Sequence, residues 1–363
     1  MTRVLAVTSP GEVRVLAEQD GTLLDYAIWR PGRPDGVGDL HRGRVQAKVQ
    51  QMAGAFVLIE GATGFLPDSE GGTAATEGET LTVRVTRAAQ GGKGPRLTAL
   101  LTPDEVEAAG SAPATQLLRR GPGAVERLVA LYPDAPVLAD DPALVAALRP
   151  RFGARIAVGR DLPGDHLMEQ IETLSAPDAL LPGGLRASIY PTPALVAVDI
   201  DTAGATAGRQ SKHSALLALN RAALPALAAQ IRLRNLSGAI LIDLAGLSPK
   251  RRVTLAPDLA AALATDPLRP RLLGFTQLGF AELVRSRVHP PLHELLRGPH
   301  AAGLAALHAL ERAGIARLRA APDVAAAIEG DPVARGDFAR RTGHALMLRV
   351  DPTLAACGWV LES

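Results

Sequence analysis

The chain contains a single cysteine, Cys357, which excludes both an internal disulfide and a cysteine-rich zinc site. Lysine is almost missing: Lys48, Lys93, Lys212 and Lys250 are the only four, and arginine supplies the remaining positive charge. Aromatic residues make up 3% of the 363 residues, so an aromatic side chain outside an apolar run is informative. Neither sign of charge dominates. A net charge of +2 does not by composition announce a nucleic-acid binder. No uninterrupted apolar run approaches the ~20 residues that cross a bilayer, and Met1 to Pro10 lacks the layout of a signal peptide. These absences lead to the expectation of a cytoplasmic protein with no membrane segment. The length implies two or three domains.

The present features begin with a hairpin. Val13–Ala17 and Leu23–Ile28 alternate about Asp20-Gly21, a favoured tight-turn pair. Pro31–Gly38 is a Pro/Gly-rich connection. Five short strand-like runs follow, at Gly43–Val49, Gly54–Ile59, Thr63–Pro67, Thr80–Arg87 and Arg96–Leu101. Their spacing implies a small barrel. Leu101–Gly123 is rich in Ala, Pro and Gly and reads as a connection. Helices are expected at Ala124–Leu131, Pro142–Leu148 and Leu167–Leu174, with short strands at Ala135–Leu138 and Ala154–Val158.

The most informative segment comes next. Strands are expected at Ala187–Tyr190, Ala194–Ile200 and Gly238–Leu244, and a helix over Ser214–Leu233 with Pro225 at its start or at a kink. Strand, helix, strand in this order implies a parallel crossover. Leu255–Leu263 and Phe280–Arg287 are expected to be helical, with a strand near Leu272–Phe275. The last unit should hold helices at Leu304–Arg319 and Asp323–Glu329 and strands at His344–Val350 and Cys357–Leu361.

Two of these strands end alike. Leu195 to Asp199 and Ala239 to Asp243 are apolar runs closed by a carboxylate. If the strands are parallel neighbours, Asp199 and Asp243 meet at the carboxyl edge of the sheet, where open α/β sheets place ligands. Asp201 points the same way as Asp199. Carboxylates gathered at one place repel, and a divalent cation relieves the repulsion. Helix capping and turn formation are the competing roles for such aspartates. Arg209, Lys212 and His213 follow the first strand, and Lys250, Arg251 and Arg252 follow the second. They suit phosphate contacts, or simply a solvated loop.

Val198-Asp199-Ile200-Asp201-Thr202-Ala203 with Thr206 and Gly208, Asn220, Gln230-Ile231-Arg232-Leu233-Arg234, Gly238 and Ile242-Asp243 together resemble the ribonuclease E/G family. Glu169-Gln170-Ile171-Glu172, Leu181-Pro182-Gly183-Gly184, Glu282, Arg285 and Arg287 extend the resemblance. It implies an α/β multidomain chain. An RNase H-like and DNase I-like catalytic core would carry an inserted OB-fold barrel of the ribosomal protein S-one type and a small C-terminal α/β domain. The implied boundaries are 1–37, an N-terminal hairpin within the RNase H-like part; 38–101, the barrel; 102–180, the rest of that part; 181–297, the DNase I-like part; and 298–363.

The implied activity is hydrolysis of single-stranded RNA to 5′-phosphate and 3′-hydroxyl ends. Asp199, Asp201 and Asp243 are the candidate catalytic residues. Asp199 and Asp243 would bind Mg²⁺, with Mn²⁺ as a substitute and no zinc. Where the family often has asparagine, this chain has Asp201.

Gly43-Arg44-Val45, Ala55-Phe56-Val57, Gly64-Phe65-Leu66-Pro67 and Gly92-Lys93-Gly94 carry the likeness to the barrel. Periodicity alone assigns Phe56 and Phe65 to a core; the resemblance makes them stacking faces for bases, with Lys93 and Arg96 near the backbone. The expected RNA contacts are thus Phe56, Phe65, Lys93, Arg96, Arg209, Lys212, Lys250, Arg251, Arg285 and Arg287.

Departures from the family pattern shape the expectation. Only Leu101–Gly123 stands where the family has a long segment with an Arg-Thr pair that grips a 5′-monophosphate. Pro290–Ala302 lacks the Cys-Pro-x-Cys zinc link, so a homodimer, if formed, would not be linked by zinc. Gly246 replaces a further acid and Gln277 an arginine. No scaffold tail for degradosome enzymes is expected. A catalytically weak or inactive RNA-binding protein of the same fold is the alternative, and a metal-dependent DNA nuclease is a third.

Overall fold

The computed structural model describes residues 1–109, 113–160, 162–202 and 212–362. The chain opens with β1 (Thr2–Ser9), β2 (Glu12–Gln19) and β3 (Thr22–Trp29). Gln19 pairs with Thr22, so Asp20 and Gly21 form a two-residue turn, with φ of 50° and 80°. That is the left-handed geometry a tight hairpin needs. The hairpin is thus two strands of three, because β1 joins it.

Next come β4 (Leu40–Val49), β5 (Gly54–Ile59), β6 (Ala62–Pro67), β7 (Thr80–Arg87) and β8 (Arg96–Thr98). β4 pairs with both β5 and β7, β5 with β6, β6 with β8, and β8 with β7. Five strands therefore close on themselves into the small barrel the spacing implied, consistent with the OB-like kind the resemblance implied. Val45, Ala55, Val57, Leu66, Val83, Val85 and Leu97 fill it. Alternation places every second residue inside.

The connection after the barrel is not featureless. It holds α1 (Pro103–Ala109) and β9 (Gln116–Arg119), which pairs with β4. Composition hid both, since Ala and Gly mark no period.

Then follow α2 (Ala124–Leu131), β10 (Val137–Ala139), α3 (Pro142–Phe152), β11 (Ile156–Val158) and α4 (Asp165–Thr173). The first sheet runs β11-β10-β1-β2-β3. One face packs Val4, Ala6, Val15 and Val137 against Ala124, Val125 and Leu128. The other packs Leu5, Leu16 and Ile28 against Leu167 and Ile171.

The central unit contains β12 (Asp178–Leu181), β13 (Leu185–Pro191), β14 (Val196–Thr202), α5 (Lys212–Leu233), β15 (Gly238–Asp243), α6 (Pro249–Arg252), α7 (Ala256–Leu263), β16 (Arg271–Phe275) and β17 (Ala281–Arg285). Its sheet runs β12-β13-β14-β15-β17-β16. β14 and β15 are parallel, as the crossover requires, and Pro225 lies inside α5. Ser214–Leu233 is long and apolar enough by composition to cross a membrane. Its Ala223, Leu224, Leu227 and Ile231 are instead packed in the core of this sheet.

One expectation fails here: Phe280–Arg287 is not a helix. Ala281, Leu283 and Arg285 are buried while Glu282 and Val284 are less so, a period of two that belongs to a strand.

The chain ends with α8 (Leu292–Leu295), α9 (Gly298–Ala313), β18 (Arg317–Ala320), α10 (Pro322–Glu329), α11 (Pro332–Thr342), β19 (Met347–Val350) and β20 (Trp359–Glu362). The expected helix over Leu304–Arg319 stops at Ala313, because Gly314 takes φ 66° and caps it. β18 then begins the three-stranded sheet β19-β18-β20. Arg341 bonds Thr8 Oγ1 at 2.7 Å and Arg340 bonds Asp141 at 2.6 Å, joining this unit to the first sheet.

Candidate active site

β14 and β15 pair in register from Val196↔Ile240 to Asp199↔Asp243. The two aspartates therefore sit side by side, one strand spacing apart, roughly 4.8 Å between backbones. Both lie at the carboxyl ends of parallel strands. The apolar residues before them are buried in one core, which fixes the register: a slip of one residue would drive Asp199 into that core.

Asp199 is solvent-exposed at the sheet edge. Partial desolvation, then the charges of Asp201 and Asp243, push its carboxyl above the usual range, against the pull of Arg186 and Arg252. Asp201 lies across from Arg186, 3.7 Å from its Nη2, and both are exposed.

Asp243 is partly covered. Arg252 Nη1 lies 2.5 Å from its Oδ1, and Arg252 is itself only 12% exposed. Arg252 also donates from Nε to the Leu247 carbonyl at 2.8 Å and from Nη1 to the Gly279 carbonyl at 3.2 Å. Gly279 has φ 89°, and a Cβ there would press Arg252 Cδ and Pro249 Cα at 3.1 Å. The glycine lets the loop close over the guanidinium. Asp243 Oδ1 is nonetheless buried and accepts no hydrogen bond of proper geometry.

Asn220 of α5 holds the loop beyond β15. Its Nδ2 donates to the Ala245 carbonyl at 3.0 Å, and its Oδ1 accepts from Ala245 N at 3.1 Å. Both bonds are buried, so the turn that follows Asp243 is anchored from below.

Hard oxygen ligands at register-paired strand ends suit Mg²⁺, which needs only one or two carboxylates and keeps waters. Asp243 is 36% exposed although its Oδ1 is buried against Arg252, so its other oxygen faces outward and suits such an ion. Among the described residues no cluster of three or more His, Cys, Asp or Glu converges to hold a metal. The donor set is thus two carboxylates, with Asp201 turned toward Arg186.

The expected RNA contacts separate into distinct places. Lys250 and Arg251 are exposed on α6 beside the aspartates. Arg252, the third of that run, turns inward onto Asp243 instead of facing solvent like its two neighbours. Helix phase decides which of three consecutive cations turns in. Arg209 lies outside the described residues, as does the side chain of Lys212.

Arg285 is misplaced by the sequence reading. It is 4% exposed, with Nε 2.7 Å from Asp266 Oδ2 and Nη1 2.7 Å from Asn235 Oδ1. Its donors are spent inside the protein, so it is a buried structural cation and not a phosphate contact. Arg232 and Arg234, from the basic run of the resemblance, are also internal. Arg232 pairs with Asp25 at 3.2 Å, and Arg234 bonds Gln230 at 2.9 Å and the Thr173 carbonyl at 3.1 Å.

Arg285 also pairs in register with Gly238, the first residue of β15. Arg285 and Arg287 therefore lie at the far end of the sheet, roughly 17 Å from Asp243. Arg287 extends over Gly238, where a Cβ would meet its guanidinium.

On the barrel, Phe56 and Phe65 are directly paired across β5 and β6 and point outward. Their rings meet edge to face with centroids 5.6 Å apart. Both are half-buried, while Ala55, Val57 and Leu66 fill the interior. Arg96 pairs with Phe65, and Lys93 is exposed in the turn bridged by Gln90.

Residues 164–288 match the family model described as the Ribonuclease E/G family. Ribonuclease E of Synechocystis sp. is 35% identical over 120 residues, covering 33% of this chain and 18% of that protein. Ribonuclease G of Haemophilus influenzae is 34% identical over 109 residues, 30% of this chain and 22% of that protein. Ribonuclease E of Escherichia coli K12 is 33% identical over 156 residues, 41% of this chain and 15% of that protein. The chain therefore matches less than a quarter of the length of each of these relatives. The matched family segment contains β14, α5, β15 and β17, and with them both register-paired aspartates.

Proposed function

We propose that this chain is a cytoplasmic, Mg²⁺-dependent endoribonuclease that hydrolyses single-stranded RNA beside Asp199 and Asp243, leaving 5′-phosphate and 3′-hydroxyl ends. The observation that carries this is the register pairing of the two aspartates within the segment similar to ribonucleases E and G. On this reading the first and third units are the RNase H-like and DNase I-like parts.

Asp199 and Asp243 would hold the ion. When bound, it supplies a Lewis acid that offsets charge on the phosphodiester. The protein does the positioning. Asn220 holds the turn beyond Asp243, and β13 and β15 on either side hold the Asp199 strand. Arg252, itself held by the Leu247 and Gly279 carbonyls, keeps the Asp243 carboxylate oriented. Lys250 and Arg251, exposed on the same helix, receive the neighbouring phosphates. The barrel presents Phe56 and Phe65 to bases, a sequence-tolerant grip. The short 101–123 segment carries no Arg-Thr pair, and we infer that the enzyme does not read the RNA 5′ end. Equal cleavage of 5′-monophosphate and 5′-hydroxyl RNAs is the expected result.

A second reading has its own support. Arg252 covers one of the two Asp243 oxygens, and among the described residues no third acid joins the pair. A binding protein without hydrolysis would share both features. Incubation of an end-labelled unstructured RNA with Mg²⁺, with EDTA and with the Asp243→Asn variant separates the two. Cleavage lost in both controls supports hydrolysis. Binding without cleavage by the unaltered chain supports the second reading.

A further inference from the structure

Four neighbouring barrel strands carry one transverse row: Phe56 on β5, Phe65 on β6, Arg96 on β8 and Arg87 on β7 are successive register partners. Partners directly opposite share a face. The last member owes its place to a β-bulge. Val85 pairs with Leu97, and unbroken pairing would set Thr86 against Arg96. The register instead shifts, and Arg87 takes that position. Bulges re-aim side chains in this way.

The row continues into the next unit. Ala88 N donates to the Val288 carbonyl at 2.8 Å, joining the end of β7 to the residue after Arg287. Arg87 feels both Arg96 and Arg287, and desolvation followed by these two like charges lowers its pKa. Among the described residues none of the three forms an ion pair, and the buried Nε of Arg87 has no hydrogen-bond partner. Gathering three guanidinium groups without an acid is unfavourable unless an anion joins them. Glu294 of α8 accepts from Gly91 N at 3.1 Å in the turn after β7 and pairs with none of the three.

We propose that Arg87, Arg96 and Arg287 form a phosphate seat at the joint between barrel and central sheet, taking a backbone phosphodiester of RNA whose bases stack on Phe56 and Phe65. Guanidinium forks match phosphate oxygens. This rests on the RNA reading above. It adds that the strand is held at the far end of the central sheet, roughly 17 Å from the aspartates, so a substrate must be long enough to reach both places.

The test is fluorescence anisotropy of a labelled single-stranded RNA in EDTA, where cleavage is silent, across a series of salt concentrations. Arg87→Gln and Arg287→Gln should each weaken binding by about tenfold and flatten the log–log salt slope by about 0.7. If they grip one phosphate, the double variant should lose less than the product of the two. Arg87→Lys should recover the slope without full affinity, which separates lost charge from lost folding. Unchanged affinity and slope in thermally stable variants would overturn the seat. Binding that depends on these arginines in a chain that never cleaves RNA would sink the hydrolytic reading and leave the seat standing. Cleavage with arginine-independent binding would sink the seat alone.

Discussion

Arg252 lies 2.5 Å from Asp243 through Nη1 and Oδ1, yet that oxygen is buried and accepts no well-formed hydrogen bond. An arginine held by two backbone carbonyls cannot move far to improve the contact. Its charge partly offsets that of Asp243, whose other oxygen is left facing outward toward a second cation. Arg252→Gln should therefore tighten Mg²⁺ or Mn²⁺ binding, since one positive charge no longer opposes the ion, while lowering kcat through a less ordered Asp243. Metal titration by calorimetry or Mn²⁺ resonance checks the first effect and single-turnover cleavage the second. Weaker metal binding in this variant would contradict the assignment.

Asp199→Asn and Asp243→Asn should each lower kcat/KM by roughly 100-fold or more, with RNA affinity in EDTA unchanged. Both positions sit at strand ends away from the barrel, so a loss confined to cleavage is expected. Parallel loss of binding would point to a structural role instead.

Those two aspartates were legible because their strands announce themselves: an apolar run with a carboxylate at its end admits one register and one edge. The barrel was legible for a similar reason, five alternating runs separated by glycine. Phe56 and Phe65 were not settled by pattern, since an outward aromatic and a core aromatic have the same period. The burial of Ala55, Val57 and Leu66 inside the barrel puts both rings on its outer side.

Arg87 was invisible because a bulge, not the sequence, sets which side it faces. Arg285 was misjudged because it occupies a core position of β17, and its buried partner Asp266 is nineteen residues away, outside any local pattern. The same inward charge breaks the apolar alternation and makes that strand look helical. Short β9 and α1 were lost in Ala/Gly composition. In each case the deciding contact is distant in sequence.

Arg285→Ala should destabilise the protein by about 3–5 kcal/mol, because Asp266 is left as a buried charge without its partner. Denaturant unfolding measures the loss. In conditions where the variant stays folded, the salt dependence of RNA binding should match that of the unaltered chain. A flatter slope would return Arg285 to the phosphate contacts.

Phe56→Ala and Phe65→Ala should each weaken RNA binding by about 1–3 kcal/mol with an unchanged salt slope, since stacking involves no counterion release. The pair is edge to face, so removing one ring also loosens the other, and the double variant should lose less than the sum. Anisotropy measured beside the arginine variants separates the two contributions: the aromatics move affinity alone, the arginines affinity and slope together.

Asp35 gives the molecule an acid limit. It accepts from His289 Nδ1 at 2.7 Å, tying the connection before the barrel to the residues after β17. Burial raises its pKa, but His289, Arg127 and the Val37 amide outweigh this and hold the carboxyl below its ordinary value of 3.8. The folded chain thus binds fewer protons at Asp35 than the unfolded chain. The resulting stability is fully present above the ordinary carboxylate value and is lost as pH falls through the lowered one. Asp35→Asn should cost about 1–3 kcal/mol near neutral pH and show a shallower loss of stability below about pH 4. Thermal unfolding from neutral pH to pH 3 measures both. An Asn variant with the same acid slope as the unaltered protein would assign the acid limit to other carboxylates and leave the Asp35–His289 tie without weight.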